Sequence, residues 1–287
     1  MATNYYYLIS GLPELTPDDR KISFTSISLR AQLKEHLTEH DFKLVELFYL
    51  PFDHNNLLDT FFGEQQKWDN RGNFTKEHIN EVTDKKHFDT VNLDQYPGYW
   101  KDFLDLMHSD CAPIDEVAAS RLLSAKYYDY LETFDNEFVS KVARYQKNVA
   151  NIITALNARN FGLDLEGNLV GHDEVVDALK KSQACDFGLS SALEYIDDIT
   201  QIYEIENITE RERKIDLHKW KYLEDLTFFN YFTVEKVIAF LLKLFIVERW
   251  YHLDEEKGKE TFEEIFNEIK SEFKFPEEYT LTYGKKR

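Results

Sequence analysis

The sequence predicts an all-α protein, and three observations support that prediction. Only 6 Pro and 10 Gly interrupt its 287 residues. The stretches between them carry apolar residues at spacings of three and four, which is the period of one helical face. Hydrophobic residues make up 43% of the chain, enough to bury a core that offsets the conformational entropy lost on folding.

The first two predicted helices meet at Thr38. Apolar residues recur on one face from Ser26 to Leu37, which predicts the first helix. Thr38 has a carboxylate, Asp41, three positions on, as in an N-cap followed by an acid in the first turn, so a second helix is expected to begin there. Pro51 is expected to end that helix because proline has no N–H to donate.

The same periodicity predicts the remaining helices, and glycine marks some of the breaks between them. The helix over 135–160 is expected to end near Gly162, and the segment from Gly162 to Gly171 to form a loop. The tail from Pro276 to Arg287 has no periodicity and is expected to be mobile. The other predicted helices cover residues 54–69, 75–83, 98–108, 114–132, 172–182, 189–205, 209–227, 233–252 and 257–272.

Three short patterns suggest an internal repeat. Asn56-Leu57-Leu58, Asn151-Ile152-Ile153 and Glu248-Arg249-Trp250 fall at similar places in helical segments, 95 and 97 residues apart. The third copy departs from the polar–apolar–apolar pattern at Arg249, and such patterns recur by chance in helical proteins. Three units of about 96 residues would fill the chain. We therefore predict sub-bundles at residues 1–95, 96–190 and 191–287.

The charge of the chain bears on its partners. Asp and Glu number 53 against 34 Lys and Arg, giving a net charge of −19. Binding to a nucleic acid depends on neutralising phosphates with Lys and Arg, and a strongly acidic protein repels the duplex. We expect no nucleic-acid partner.

Three features predict the compartment. The N-terminal residues lack the charged and apolar regions of a signal peptide. Cys111 and Cys185 have no C-x-x-C spacing, which argues against a disulfide framework. The most apolar run, Val237 to Val247, is shorter than the roughly 20 residues that cross a membrane. We expect a cytoplasmic protein without a membrane span.

Two patterns that could indicate a metal site lack the geometry for one. His36-Leu37-Thr38-Glu39-His40 matches the H-x-x-E-H pattern of inverted zinc peptidases, but a helix start at Thr38 would place the two histidines on different helices. A di-iron bundle needs paired E-x-x-H motifs. The sequence has no such pair to accompany the scattered carboxylates Glu39, Glu137, Glu194 and Glu248.

Catalytic and cofactor motifs are also missing from the sequence. It has no glycine-rich phosphate loop and no G-x-S-x-G elbow. We predict no catalytic residue, no cofactor, no metal and no small-molecule substrate. Two alternatives stay open: a metal-dependent hydrolase or oxidase on a helical bundle, motivated by His36, His40 and the many carboxylates, and a soluble helical adaptor, motivated by composition.

One stretch near the C-terminus resembles the C subunit of V/A-type ATPases, which is named d in the eukaryotic enzyme. It runs from Phe232 through Glu235 and Phe240 to Glu248 and Arg249. The family has an F-G-x-E-P segment, an A-Y-L-L helix and an E-x-x-N start to the final motif. In this chain Lys236 stands at the place of the family's proline and Phe240 at the place of its tyrosine. Arg249 and Trp250 stand where the family has Asn-Ile-Arg.

Two further stretches are similar to the same family. Tyr128 and Asp129 lie in a Y-D-Y-L segment, and Asn151 and Arg159 lie in the helix after it. Glu212 and Asp216 resemble the acidic motif that precedes the family's terminal helix. Together the three matches cover roughly residues 126–252.

The first sixty residues resemble an uncharacterised bacterial family encoded beside V-type ATPase genes, at the place where the C subunit would be expected. The residues that carry this likeness include Tyr5-Tyr6-Tyr7-Leu8, Leu12-Pro13, Leu29-Arg30, Lys43-Leu44 and Asn56-Leu57-Leu58.

The resemblance implies a fold and a function. The fold would be a funnel-like stack of three pseudo-equivalent helical bundles. The protein would be a non-catalytic central-rotor connector that couples the central stalk to the membrane proteolipid ring during ATP-driven ion or proton transport. It would be cytoplasmic and peripheral on the inner membrane through that complex.

We expect the motif residues to serve mainly within the protein, with an interface as the alternative role. Thr233 and Glu235 are expected to start a helix as cap and first-turn acid, and Glu248 to pair with a neighbouring base. Phe232 and Phe240 are expected in the core.

Overall fold

A computed structural model describes residues 4–17, 19, 24–63, 68–113, 115–165 and 167–253, and within these ranges it contains helices and no β-strand. The predicted all-α class is confirmed. Short 3₁₀ segments lie at Leu47–Tyr49, Phe88–Thr90 and Leu93–Gln95. The α-helices are α1 (Tyr6–Gly11), α2 (Ser26–His36), α3 (Glu39–Glu46), α4 (Leu50–Phe62), α5 (Lys76–Thr83), α6 (Gly98–His108), α7 (Glu116–Glu132), α8 (Glu137–Phe161), α9 (Glu174–Lys181), α10 (Ile196–Tyr203), α11 (Ile208–Leu226) and α12 (Val234–His252).

The helix boundaries around Pro51 differ from the prediction. α3 passes through the 3₁₀ turn Leu47–Tyr49 directly into α4, and Pro51 lies in the first turn of α4. Proline is tolerated there because an N–H at that position has no partner within the helix. α4 ends at Gly63, which has a left-handed backbone with φ of 70°, so the predicted extension to residue 69 was wrong.

Other boundaries follow the sequence more closely. Thr38 accepts a hydrogen bond from the Asp41 N–H, as expected for the start of α3. α8 ends at Gly162 in the left-handed conformation, as predicted. The helix predicted over 189–205 begins only at Ile196, because residues 189–195 form turns in which the Ala192 and Leu193 N–H groups donate to the Leu189 carbonyl. The predicted helix at 257–272 and the predicted mobile tail lie outside the described residues.

Two large cores hold these helices together. The larger is built from α2, α3, α4, α6, α7, the start of α8 and α12, and it includes the fully buried Trp100 and Phe103. The second joins the rest of α8 to α9 and α10. A smaller cluster of Trp220, Ile246 and Val247 lies between α11 and α12. α8 therefore contributes to both large cores. α12, the last described helix, packs against α2.

The division into three bundles and their funnel arrangement stay predictions. Two of the proposed repeat positions, however, make the same kind of contact. Asn56 in α4 is buried, and its side chain bonds both backbone groups of Asp69, through the N–H and the C=O, each at 2.9 Å. Asn151 in α8 is buried and does the same with Val170, each bond at 2.8 Å. In both cases the bonded segment leads into the next helix, α5 or α9. We call these contacts polar junctions.

We expect Asn151→Ala to lower the free energy of unfolding by about 2 kcal/mol, because it leaves two buried backbone groups of Val170 unsatisfied. Asn56→Ala is expected to have a similar effect at Asp69. Urea denaturation followed by circular dichroism measures both.

Asn80→Ala is the matched control, since Asn80 is exposed on α5 and its side chain has no described hydrogen bond. An Asn151→Ala protein as stable as Asn80→Ala would show that the junction contributes nothing.

Candidate functional site

The residues that carry the resemblance fall into a few groups, and the tightest joins α11 to α12. The guanidinium of Arg249 donates to Asp216 Oδ2 at 3.0 Å and to Glu212 Oε2 at 2.7 Å. The indole N–H of Trp250 donates to the same Asp216 oxygen at 2.8 Å. Two motif matches that are 33 residues apart along the chain therefore meet in one cluster.

Burial controls the electrostatics of this cluster. Burial raises the pKa of Asp216, and the charge of Arg249 opposes that rise. Burial also lowers the pKa of Arg249, but hydrogen bonds and charges from Glu212 and Asp216 outweigh it and raise the pKa overall. Because Glu212 and Arg249 are both partly exposed, the cluster holds the two helices in register more than it stabilises the fold.

Glu248 joins α12 to the start of α2. Its buried carboxylate accepts hydrogen bonds from the Ser26 N–H at 2.6 Å and the Ser26 hydroxyl at 2.8 Å. Ser26 is the first residue of α2, where a negative charge is favourable because the helix N–H groups are unpaired. We count this contact as a third polar junction, although the carboxylate accepts both bonds and one of them comes from a side chain. It lies at the third repeat position.

The base expected beside Glu248 is Arg71, whose Nη1 lies 3.8 Å from Glu248 Oε2. The contacts of Glu248 with Ser26 are closer. Arg71 also pairs with Asp69 at 2.6 Å, and its guanidinium lies 3.9 Å from the ring centroid of Phe52. Since Asp69 is the backbone partner of Asn56, the third junction is linked to the first through a continuous polar path.

Asp53 lies next to the first junction, and sequence reasoning missed it. Its carboxylate is fully buried and accepts from the N–H groups of Asn73 at 2.8 Å and Phe74 at 3.0 Å. Burial raises the pKa of Asp53 to about 6, while the two backbone bonds oppose the rise. A Cβ at Gly72 would lie 2.3 Å from Asp53 Oδ1, so the turn requires glycine there. In the sequence, Asp53 stands three positions before Asn56, so the two side chains lie on the same helical face, and that spacing could have indicated it.

The start of α12 holds the next group of motif residues. Thr233 precedes α12 but makes no capping bond to its backbone; its hydroxyl donates to the carboxylate of Glu235 instead. Glu235 also accepts from the Asn136 amide at 3.1 Å, which ties α12 to the start of α8. Phe240 is half-buried beside Phe24, with ring centroids 6.2 Å apart. The expected capping role of Thr233 is thus replaced by a side-chain contact.

The remaining motif residues lie apart from these clusters. Phe232 is half-buried, with its ring 4.1 Å from that of Tyr6. Arg159 donates to the carbonyls of Ala184 at 2.9 Å and Ser182 at 3.1 Å, stabilising the turn after α9.

Tyr128 and Asp129 are neighbours on α7 with different surroundings. Asp129 is exposed, whereas Tyr128 is half-buried and lines a partly open cavity between α4, α7 and α12. Burial raises the pKa of Tyr128 to about 12.

The histidines considered for a metal site make local contacts. His36 lies at the end of α2, where its Nδ1 is 2.8 Å from the Gln32 carbonyl. His40 lies in α3 and contacts Asp41 at 3.1 Å. Across the part of the chain that the structure describes, no three His, Cys, Asp or Glu side chains are grouped as metal ligands would be.

The described helices also bear on membrane insertion. None of them combines the length and the apolar character that crossing a bilayer requires.

We expect Glu248→Gln to lower the free energy of unfolding by about 2 kcal/mol, because an amide offers one acceptor oxygen where Ser26 presents two donors, and a buried donor is left unpaired. Glu212→Gln, at a half-exposed ion pair, is the control and is expected to cost less than about 1 kcal/mol. Urea denaturation compares the two. Equal losses would contradict the special role of Glu248.

Asp53 is expected to make stability depend on pH. Its pKa is about 6 in the folded protein against 3.8 ordinarily, so the folded state holds the proton more tightly. That contribution is fully present below about pH 4 and is lost as the pH rises through 6, about 3 kcal/mol in all.

The measurement is the free energy of unfolding of the wild type minus that of Asp53→Asn between pH 4 and 7, which should fall over that range. The same difference taken with Asp89→Asn, at an exposed aspartate, should stay flat. A flat difference for Asp53→Asn would disprove the shifted titration.

Comparison with known proteins places the chain in one family. Neither the curated proteins nor the solved structures gave a match. A family model described as protein of unknown function (DUF2764) matches residues 1–273, nearly the whole length. On that match, the chain belongs to the DUF2764 family.

Proposed function

We propose that the protein is a non-catalytic rotor connector of a V-type ATPase, joining the central stalk to the membrane proteolipid ring. The observation that carries this proposal is the set of three polar junctions at Asn56, Asn151 and Glu248. They recur at about one third of the chain length, as a protein of three related helical units requires. The third junction bonds the last described helix to the first long one, which is how a ring of units closes.

The physical task of a connector also agrees with these contacts. A part that passes torque has to resist deformation, and closely packed helices have low compressibility and transmit strain. Buried polar contacts with fixed geometry add to that stiffness because they leave few alternative arrangements. In this chain the contacts span the sequence: Ser26 and Glu248 are 222 residues apart.

An exposed aromatic surface supports a docking role. Tyr6 and Tyr7 of α1 lie beside the α11–α12 loop, which carries Phe228, Phe229 and Tyr231. Tyr7 is 94% exposed and Phe229 is 81% exposed. The Tyr5 N–H donates to the Phe232 carbonyl at 2.7 Å, which holds α1 against the loop. We call Tyr6, Tyr7, Phe228, Phe229 and Tyr231 the aromatic surface.

The proposed occupant of the aromatic surface is the proteolipid ring. Asp225 is exposed next to the loop, and the chain has a net charge of −19, which complements basic loops of such a ring. Tyrosine and phenylalanine suit a contact near a membrane surface because their rings are apolar and tyrosine keeps a polar end. In this arrangement the protein is cytoplasmic and peripheral to the membrane.

A helical adaptor unrelated to ATPases is the second candidate, and the same aromatic surface favours it. The two candidates differ in partner, not in chemistry. A metal-dependent hydrolase or oxidase is not carried forward, since nothing in the site favours it.

The test is copurification of the tagged full-length chain with the ring and stalk proteins of its own organism. We expect both to copurify with the wild type. The double variant Tyr7→Ser, Phe229→Ser should reduce recovery of the ring at least about tenfold, as expected when aromatic side chains leave an interface centre.

Phe161→Ser is the matched control because Phe161 is exposed at the end of α8, away from the aromatic surface; it should bind like the wild type. Recovery of neither ring nor stalk with the wild type would refute the connector. Loss of the stalk alone in the double variant would keep the connector but assign the surface to the stalk.

A further inference from the structure

A partly open cavity of about 280 Å³ lies where parts of the chain that are distant in the sequence meet. Its walls come from the 3₁₀ turn at 47–49 and from α4, α7, α8, α11 and α12. Much of the lining is apolar, including Phe48, Phe52, Leu242 and Phe245. This volume is close to the lower end for pockets that hold small molecules, roughly 300 Å³.

Four polar side chains also line the cavity: Ser124, Tyr128, Gln146 and Lys219. Within the described ranges none of the four makes a side-chain hydrogen bond to another residue, and Lys219 has no carboxylate within ion-pair distance. A lysine that is buried more deeply shows the contrast: Lys147 pairs with Glu132 at 3.1 Å and Asp173 at 3.0 Å. The four side chains of the cavity are half-buried, so their polar groups are open to whatever occupies the cavity, water or a ligand.

The cavity is also electrostatically unusual for this acidic chain. Among the described lining residues there is no Asp or Glu, and Lys219 is the one cation. His54, which also lines it, is neutral because burial lowers its pKa to about 3. Burial likewise lowers the pKa of Lys219, and the charge of Asp216 on the same helix opposes this.

Hydrogen-bonding capacity decides what fits. An ammonium offers three donors and no acceptor, while a phenol, a hydroxyl and an amide each add a donor. A set rich in donors and centred on a cation matches an anion with several acceptor oxygens. The aromatic and aliphatic walls match an apolar body attached to that anion.

We propose that this cavity binds a small organic carboxylate, with the carboxyl group on Lys219 and Tyr128 and the apolar body against Phe52 and Phe245. Binding of this kind pairs the half-buried ammonium of Lys219 with a carboxylate. The inference does not depend on the rotor-connector proposal, because it concerns a ligand of the isolated chain.

The test is calorimetric titration of the full-length protein with benzoate and hexanoate. We expect dissociation constants below about 1 mM, and binding of the neutral isostere benzamide at least about tenfold weaker, which is a loss of about 1.4 kcal/mol. This comparison uses only the wild type, so it stands even if a variant fails to fold.

Two variants locate the binding. Lys219→Met should weaken benzoate at least about tenfold, whereas Lys221→Met, at an exposed position on the same helix, should leave it unchanged. Tyr128→Phe removes the phenol alone and should weaken benzoate severalfold. Absence of binding by either acid at about 10 mM, equal binding of benzamide, or unchanged binding in Lys219→Met would each overturn the proposal and leave a cavity that holds only water.

Discussion

The buried carboxylate of Glu248 is the polar contact that ties α12, the last described helix, to α2. It is bonded to the first residue of α2, and it lies within reach of Arg71, whose partner Asp69 is held by Asn56. A charge taken out of water is tolerated only when hydrogen bonds replace its hydration. The two bonds from Ser26 and the nearby guanidinium meet that condition. One polar path therefore links α2, α4 and α12, in addition to the apolar core that they share.

Helix ends account for most of what the sequence predicted correctly, because they depend on local chemistry. Thr38 and Gly162 have the residue types that begin and end helices, and the structure uses them so. Pro51 was misjudged because proline is equally at home in a first turn, and the choice depends on the neighbouring 3₁₀ turn at 47–49. The helix predicted over 54–69 ran past Gly63, whose left-handed backbone ends α4. Phe187, with φ of 55°, lies between two predicted helices and beside Gly188.

Contacts between distant residues were beyond the sequence for a different reason. The 95- and 97-residue spacing pointed to three related positions. In the structure, the two asparagines among them each make the same pair of hydrogen bonds to a backbone segment. Their partners, Asp69 and Val170, follow at different distances along the chain, 13 and 19 residues, so no fixed pattern gives them away. The Asp216–Arg249 pair was within two recognised motifs, yet nothing in either motif indicated that they touch.

The polar junctions and the cavity at Lys219 differ in what their polar side chains bond. At the junctions, Asn56, Asn151 and Glu248 bond the backbone of the segment each one holds. In the cavity, Lys219 and Tyr128 converge from different helices without such partners, in a region lined by aromatic rings. Packing alone would close that space with apolar side chains, since a cavity forfeits packing contacts. The half-buried lysine beside aromatic rings instead leaves a place where an anion with an apolar body can bind, which is the feature that the proposed carboxylate would use.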